Sequence, residues 1–192
     1  LNNVFAQRVL KERDENGIRI LERFNAHQAT VWGMNAEGKA VFSKWFSLQS
    51  GLTVQRSEYK DAVEWDEDAP AEKKFLRTPN VYGYFTMQSS PIKRLSIALS
   101  GNYNGRMLVG HAAGSGVEKP VAVRTPSFFT LSLKASYDFD IYKQVKAQLN
   151  AGIQNIGNVY QRDLDKGWNR DASYIYGPSL PRCFYVGLKL TY

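Results

Sequence analysis

Hydrophobic and polar side chains alternate along most of the second half of the chain. Over 128–139, Phe129, Leu131, Leu133, Ala135, Tyr137 and Phe139 face one way, and Thr130, Ser132, Lys134, Ser136 and Asp138 face the other. Over 145–154, Val145, Ala147, Leu149, Ala151 and Ile153 oppose Lys146, Gln148, Asn150, Gly152 and Gln154. The runs 182–192 (Phe184, Val186, Leu188, Leu190, Tyr192 against Cys183, Tyr185, Gly187, Lys189, Thr191) and 95–103 repeat the pattern. A period of two places successive side chains on opposite faces of a β-strand. Less regular runs at 46–56, 28–41 and 80–88, and a weakly patterned one at 2–11, bring the expected count to eight strands. The clearest runs have the ~9–11 residues a tilted strand needs to cross a bilayer.

Chain breakers organise these strands. Short interruptions at Ser43-Lys44, at Ser89-Ser90-Pro91 and from Asp138 to Lys143 alternate with long polar stretches at 12–27, 57–78, 110–125 and 161–181. Tight turns at one end and long loops at the other describe an antiparallel, up-and-down arrangement. Alternation alone does not decide whether the apolar face meets lipid or a protein core, because a soluble eight-stranded barrel shows it too. Lys134, Lys146, Gln148, Asn150, Gln154 and Lys189 on the polar face suit a hydrated lumen. Trp45, Phe46, Tyr137, Phe139, Tyr142 and Tyr192 recur on the turn side, where an aromatic girdle would sit at headgroup level.

Composition removes several alternatives. The 192 residues are 43% hydrophobic and 13% aromatic, which argues against disorder. A mean hydropathy of −0.41 without a run of ~18 apolar residues excludes a helical membrane span, though not a membrane barrel. The net charge of +7 is scattered, with no basic run of the kind that tracks phosphates, so nucleic acid is not expected as a partner. One cysteine, Cys183, and two histidines form neither a disulfide nor a recognisable zinc site. No catalytic elbow or phosphate loop occurs, and Gly114-Ser115-Gly116 lacks the third glycine of a dinucleotide fingerprint. His27 and His111 read as isolated, solvated loop histidines. No enzyme activity, metal or cofactor is expected. Leu1 opens the chain without an initiator Met or a signal-like arrangement, as in a mature product or an excised piece.

The C-terminal segment Tyr185-Val186-Gly187-Leu188-Lys189-Leu190-Thr191-Tyr192 resembles the terminal signal of outer-membrane barrels. Tyr185 takes its polar position, Gly187 its glycine, Leu190 its hydrophobic and Tyr192 its aromatic position. Upstream, Asn155-Ile156-Gly157-Asn158-Val159-Tyr160 followed by Gly177-Pro178-Ser179-Leu180-Pro181-Arg182 resembles the end of a TonB-dependent outer-membrane receptor. Ala29-Thr30-Val31-Trp32-Gly33 and Gly105-Arg106-Met107-Leu108-Val109 resemble further strand segments of that family, with Asn35 standing where Glu is frequent.

The resemblance implies an all-β, antiparallel up-and-down transmembrane β-barrel segment, about eight strands of a larger barrel of ~22 strands whose lumen is filled by a plug. Residues 1–192 would then be the C-terminal part of the barrel, without the plug domain. The location implied is the bacterial outer membrane. The implied partners are outer-membrane lipid, the barrel-assembly machinery, the TonB energy-coupling protein acting through an N-terminal part, and a large small-molecule ligand of siderophore, haem or cobalamin class. The alternatives are a complete eight-stranded membrane barrel with a structural or adhesion role, and a soluble lipocalin-like barrel. Ligand contacts are expected in the loops: loop 161–181 mixes charge and rigid aromatics at Arg162, Asp163, Asp165, Trp168, Arg170, Asp171, Tyr174 and Tyr176, with Trp168, Arg170, Asp171, Tyr174 and Tyr176 as the candidates. Glu58, Asp61, Glu64, Asp66, Glu67, Asp68 and Glu72 surround Trp65 in loop 57–78; they read as a solvated acidic loop, with capture of divalent ions as the other possibility.

Overall fold

The computed structural model of the chain describes residues 1–142 and 145–192. Its regular structure is β throughout: β1 (Phe5–Arg13), β2 (Arg19–Asn25), β3 (Ala29–Ser43), β4 (Phe46–Val63), β5 (Glu72–Lys74), β6 (Val81–Ile92), β7 (Leu95–Asn104), β8 (Leu108–His111), β9 (Val121–Arg124), β10 (Phe128–Tyr142), β11 (Val145–Gln154) and β12 (Cys183–Thr191). An eight-stranded sheet runs β3-β4-β6-β7-β10-β11-β12, with short β5 added beside the end of β4. All its pairings are antiparallel. The sheet is not closed: among the described residues β3 pairs only β4, and β12 only β11.

Seven of the eight expected strands lie in this sheet. The weakly patterned run at 2–11 does not, because β1 pairs β2 in a separate hairpin. The expected breaks also move. Ser89, Ser90 and Pro91 belong to β6, and the chain reverses at Lys93-Arg94, where Arg94 has a left-handed φ of 77°. Residues 138–142 belong to β10, and Lys143 lies outside the described residues. Three of the expected loops carry structure of their own: β2, β5, and the hairpin β8–β9.

Register keeps the two faces of the sheet distinct across the strands. On one face Leu133 lies between Leu99 and Ile153, and Tyr137 between Leu95 and Leu149. Ala147, Leu149, Ala151 and Ile153 meet Leu190, Leu188, Val186 and Phe184. On the other face Thr130 meets Asn102, Ser136 lies between Ser96 and Asn150, and Gln148 between Asp138 and Lys189. A one-residue slip would interchange every pair. Aromatic rings also cover glycines on neighbouring strands. A Cβ on Gly101 would stand 2.3 Å from the Phe85 ring, and one on Gly152 would stand 2.4 Å from Tyr185 Oη.

The apolar face has no covering layer. Its Leu188, Val186, Phe184 and Leu149 are exposed. The chain presents 13458 Å² of accessible surface, against about 9,300 Å² for a compact soluble protein of its mass. The small cluster of buried hydrophobics lies away from that face, where Ala6 and Ala26 of the β1–β2 hairpin region pack with Val63, Phe24 and Tyr59.

Candidate functional site

The polar face and the long loops meet at the ends of β10, β11 and β12. Here the Asn155–Tyr160 motif acts as a knot. Asn155 and Asn158 both take left-handed φ values, 50° and 49°, which Asn tolerates better than most residues. Asn155 Nδ2 donates to the carbonyls of Val159 (2.8 Å) and Leu180 (2.9 Å), and its Oδ1 accepts from Val159 N–H (2.9 Å). Asn158 Oδ1 accepts from Arg182 N–H at 3.0 Å. One buried amide and one exposed amide therefore fix the exit from β11 and the entry to β12.

Loop 161–181 contains no strand, yet it is held from several sides. Gln161 Nε2 donates to Tyr174 O, and its Oε1 accepts from Tyr176 N–H. The hydroxyls of Tyr174 (2.9 Å) and Tyr176 (2.5 Å) both donate to Asp163. The β8–β9 hairpin supplies His111, whose ring stacks on Tyr174 at 3.7 Å between centroids and whose Nε2 lies 3.0 Å from Asp165 Oδ2. Ala112 N–H donates to Asp171 Oδ2 at 2.8 Å. Arg77, at a left-handed φ of 58°, donates to the carbonyls of Ile175 and Ser173.

These contacts set the electrostatics of the loop. Burial pushes the Asp163 carboxyl up, but the Tyr176 and Tyr174 hydroxyls bonded to it bring it below its ordinary value. His111 holds the Asp165 carboxyl low, aided by the backbone of Asp171. Burial, then the hydrogen bond to Asp163, raises Tyr174 to about 12 and pushes Tyr176 up further.

The loop candidates fall into two groups. Trp168, 103% exposed, and Arg170 project into solvent. Tyr174, 2% exposed, Asp171 and Tyr176 are engaged in the loop's own scaffold. His111 is not a solvated histidine. It is buried against Tyr174 and Asp165, a pairing across 54 positions that no local pattern announces. His27 is exposed, as expected. Gln161 and Arg77 are further organising residues absent from the expected set, polar loop residues with no distinguishing local pattern. Of the terminal-signal residues, Tyr185 covers Gly152 on the polar face, Gly187 pairs with Asn150, Leu190 points from the apolar face, and Tyr192 is exposed beyond β12.

The acidic loop is exposed at Asp61, Glu64, Glu67 and Asp68, as the solvated reading expects, but it is also tied to the β1–β2 hairpin. Asp66 is 0% exposed and forms a bidentate pair with Arg19, at 2.9 and 3.0 Å. Glu64 pairs with Arg8, and Asp68 with Lys11 and Arg19. The β1–β2 hairpin supplies the cations, and among the described residues no group of three or more His, Cys, Asp or Glu is placed to hold a metal ion.

A cavity of about 630 Å³ opens on the polar face beneath residues 176–180. Thr86, Ser100, Asn102, Asn104, Thr130, Lys134, Gln154, Tyr176 and Tyr185 line it. The side chains of Asn102, Asn104, Thr130 and Gln154 make no hydrogen bond within the described residues, so their polar atoms are available to water or a ligand.

No known protein-family model matches the chain, and no curated protein matches its sequence. Solved structures do. The ferric enterobactin receptor PfeA of Pseudomonas aeruginosa, solved as a mutant, matches with a TM-score of 0.62 and 15% identity over 97% of this chain and 27% of its own. The ferric-catecholate import receptor Fiu of E. coli K12 matches with a TM-score of 0.58 and 18% identity over 94% of this chain and 22% of its own. The outer-membrane ferripyoverdine receptor of Pseudomonas aeruginosa, bound to ferripyoverdine, gives 0.58 and 12% over 93% and 21%. The chain thus spans about a quarter of the length of each receptor it matches. Matched almost end to end by three receptors, and built of the same antiparallel strands, the chain has the fold of a barrel segment of the TonB-dependent outer-membrane receptors.

Proposed function

We propose that the chain is the C-terminal barrel portion of an outer-membrane receptor that takes up a large ligand of siderophore, haem or cobalamin class with energy supplied through TonB. The observation that carries this reading is the open sheet with one uncovered apolar face, superposing along nearly its whole length on siderophore receptors. The apolar face meets lipid, the polar face lines the lumen against a plug supplied by another part of the protein, and the loops form the outer mouth. Trp168 and Arg170, free at the tip of loop 161–181, make first contact with ligand, while Asp171, Tyr174 and Tyr176 hold that tip in place. The terminal strand with Tyr185, Gly187, Leu190 and Tyr192 is read by the barrel-assembly machinery. The unpaired edges of β3 and β12 favour this reading over a complete eight-stranded barrel, which has no edges.

The test is uptake in a Gram-negative strain lacking its own receptors. Expression of the full-length protein is expected to place it in the outer-membrane fraction and to support accumulation of one among a panel of radiolabelled ferric siderophores, haem and cobalamin, only while TonB is intact. Accumulation of none, or accumulation indifferent to loss of TonB, overturns the reading.

A further inference from the structure

We infer that Asn16, at the tip of the β1–β2 hairpin, is a site of spontaneous conversion to aspartate and isoaspartate. The chemistry favours a glycine next in the chain, because a side chain there crowds the attack of the following backbone nitrogen. Two Asn-Gly pairs occur, Asn16-Gly17 and Asn104-Gly105. Both asparagines are exposed, so access to solvent does not separate them. The backbone does. Residues 14–18 form an exposed turn in which Gly17 N–H donates to Asp14 O at 2.9 Å and Asp14 N–H to Ile18 O at 2.8 Å. Gly17 stands at a φ of 77° with no atom within 4 Å of where a Cβ would lie, and the Asn16 carboxamide makes no hydrogen bond within the described residues. Opening such a turn costs little. Asn104, by contrast, lies between Tyr82 and Phe128 in the sheet, and buried Gly105 donates its N–H to Val81 O at 2.8 Å. Its glycine nitrogen is free to attack only when the strands part.

At Asn16 the Gly17 nitrogen gives up its proton to solvent base and bonds to Asn16 Cγ, and the side-chain amide leaves as ammonia. Water then opens the cyclic imide. Attack at Cγ yields aspartate, and attack at the main-chain carbonyl yields isoaspartate, with one methylene added to the backbone between β1 and β2. Either product places a carboxylate beside Asp14 and Glu15. The lengthened turn also withdraws Gly17 O from Arg13 Nη1, which donates to it at 2.6 Å. None of this depends on what the barrel carries.

Peptide mapping of the full-length protein in detergent, held in mildly alkaline buffer either folded or unfolded in urea, tests the assignment. Trypsin cuts after Arg13 and Arg19 to release 14–19, and after Arg94 and Arg106 to release 95–106. Conversion in each peptide is read by mass and by labelling with an isoaspartyl methyltransferase. In the folded protein, conversion at Asn16 is expected to run about tenfold or more ahead of Asn104, because a turn opens far more often than a sheet. In urea the two rates are expected to converge. Asn16→Gln, an exposed change that leaves the hairpin intact, is expected to abolish conversion in 14–19, because the longer side chain closes its ring poorly. Equal rates at the two sites in the folded protein, no conversion at Asn16, or the same ratio in urea as in the folded state overturns the assignment.

Discussion

At the scale of single residues, two buried polar groups hold the loops to the sheet. Asp66 is enclosed with its carboxylate forked by Arg19. Removing the cation strands a buried charge, so Arg19→Ala is expected to cost about 3–5 kcal/mol of loop stability. Limited proteolysis near residues 57–78 measures it, and cleavage unchanged from the parent refutes the assignment. Asn155 satisfies two carbonyls and one N–H at a left-handed φ. Asn155→Ala leaves these groups unpaired and strains the backbone, an expected loss of about 2–4 kcal/mol by urea unfolding. The motif itself was visible in the sequence. Its physical reason, an amide tying the end of β11 to the approach of β12, was not, because Leu180 lies 25 positions away.

At the scale of elements, the sheet faces and the loop network behave differently. Leu149 lies on the apolar face and Gln148 on the polar one. In a bilayer, Leu149→Arg is expected to cost about 2–4 kcal/mol and Gln148→Arg well under that, read as shifts in the urea midpoint. Equal costs would mean that the face of β11 does not meet lipid. Loop 161–181 carries a pH signature. The depressed Asp163 and Asp165 carboxyls favour the folded loop above the unfolded value of 3.8, and that contribution is lost as pH falls through their lower folded values. The raised Tyr174 favours the folded loop below its unfolded value of 10.0, and its contribution is lost as pH rises towards about 12. Amide protection at Tyr174 and Tyr176 should therefore fall as pH drops below 3.8 and fall again as it rises above 10.0. Protection that persists at both extremes would contradict the network.

At the scale of the whole molecule, the accessible surface calls for a covering that the sheet does not supply itself. About 4,000 Å² more is exposed than a compact soluble chain of this mass would show. The full-length protein is expected to need detergent or lipid, and a monodisperse species stable in buffer alone would end the membrane reading. On the apolar face of β10 the aromatic side chains Phe129 and Tyr137 stand eight positions apart, or about 26 Å along an extended strand. Corrected for tilt, that separation fits within a hydrocarbon core.

Alternation of apolar and polar residues in β7, β10, β11 and β12 determined strand and face by itself, because a period of two has one structural meaning wherever a single face is apolar; a shift of two residues keeps the faces, so the register needed the structure. At residues 2–11, where the alternation is weak, the expected strand forms as β1 but pairs with the nearby β2 instead of joining the wall. Only the tertiary structure decided that Glu64, Asp66 and Asp68 of the acidic loop pair with Arg8, Lys11 and Arg19, and that His111 is buried on Tyr174 beside Asp165. Those pairs join residues about 50 positions apart on different loops. Charge and ring contacts of that range depend on where the strands deliver the loops, and no local periodicity encodes it.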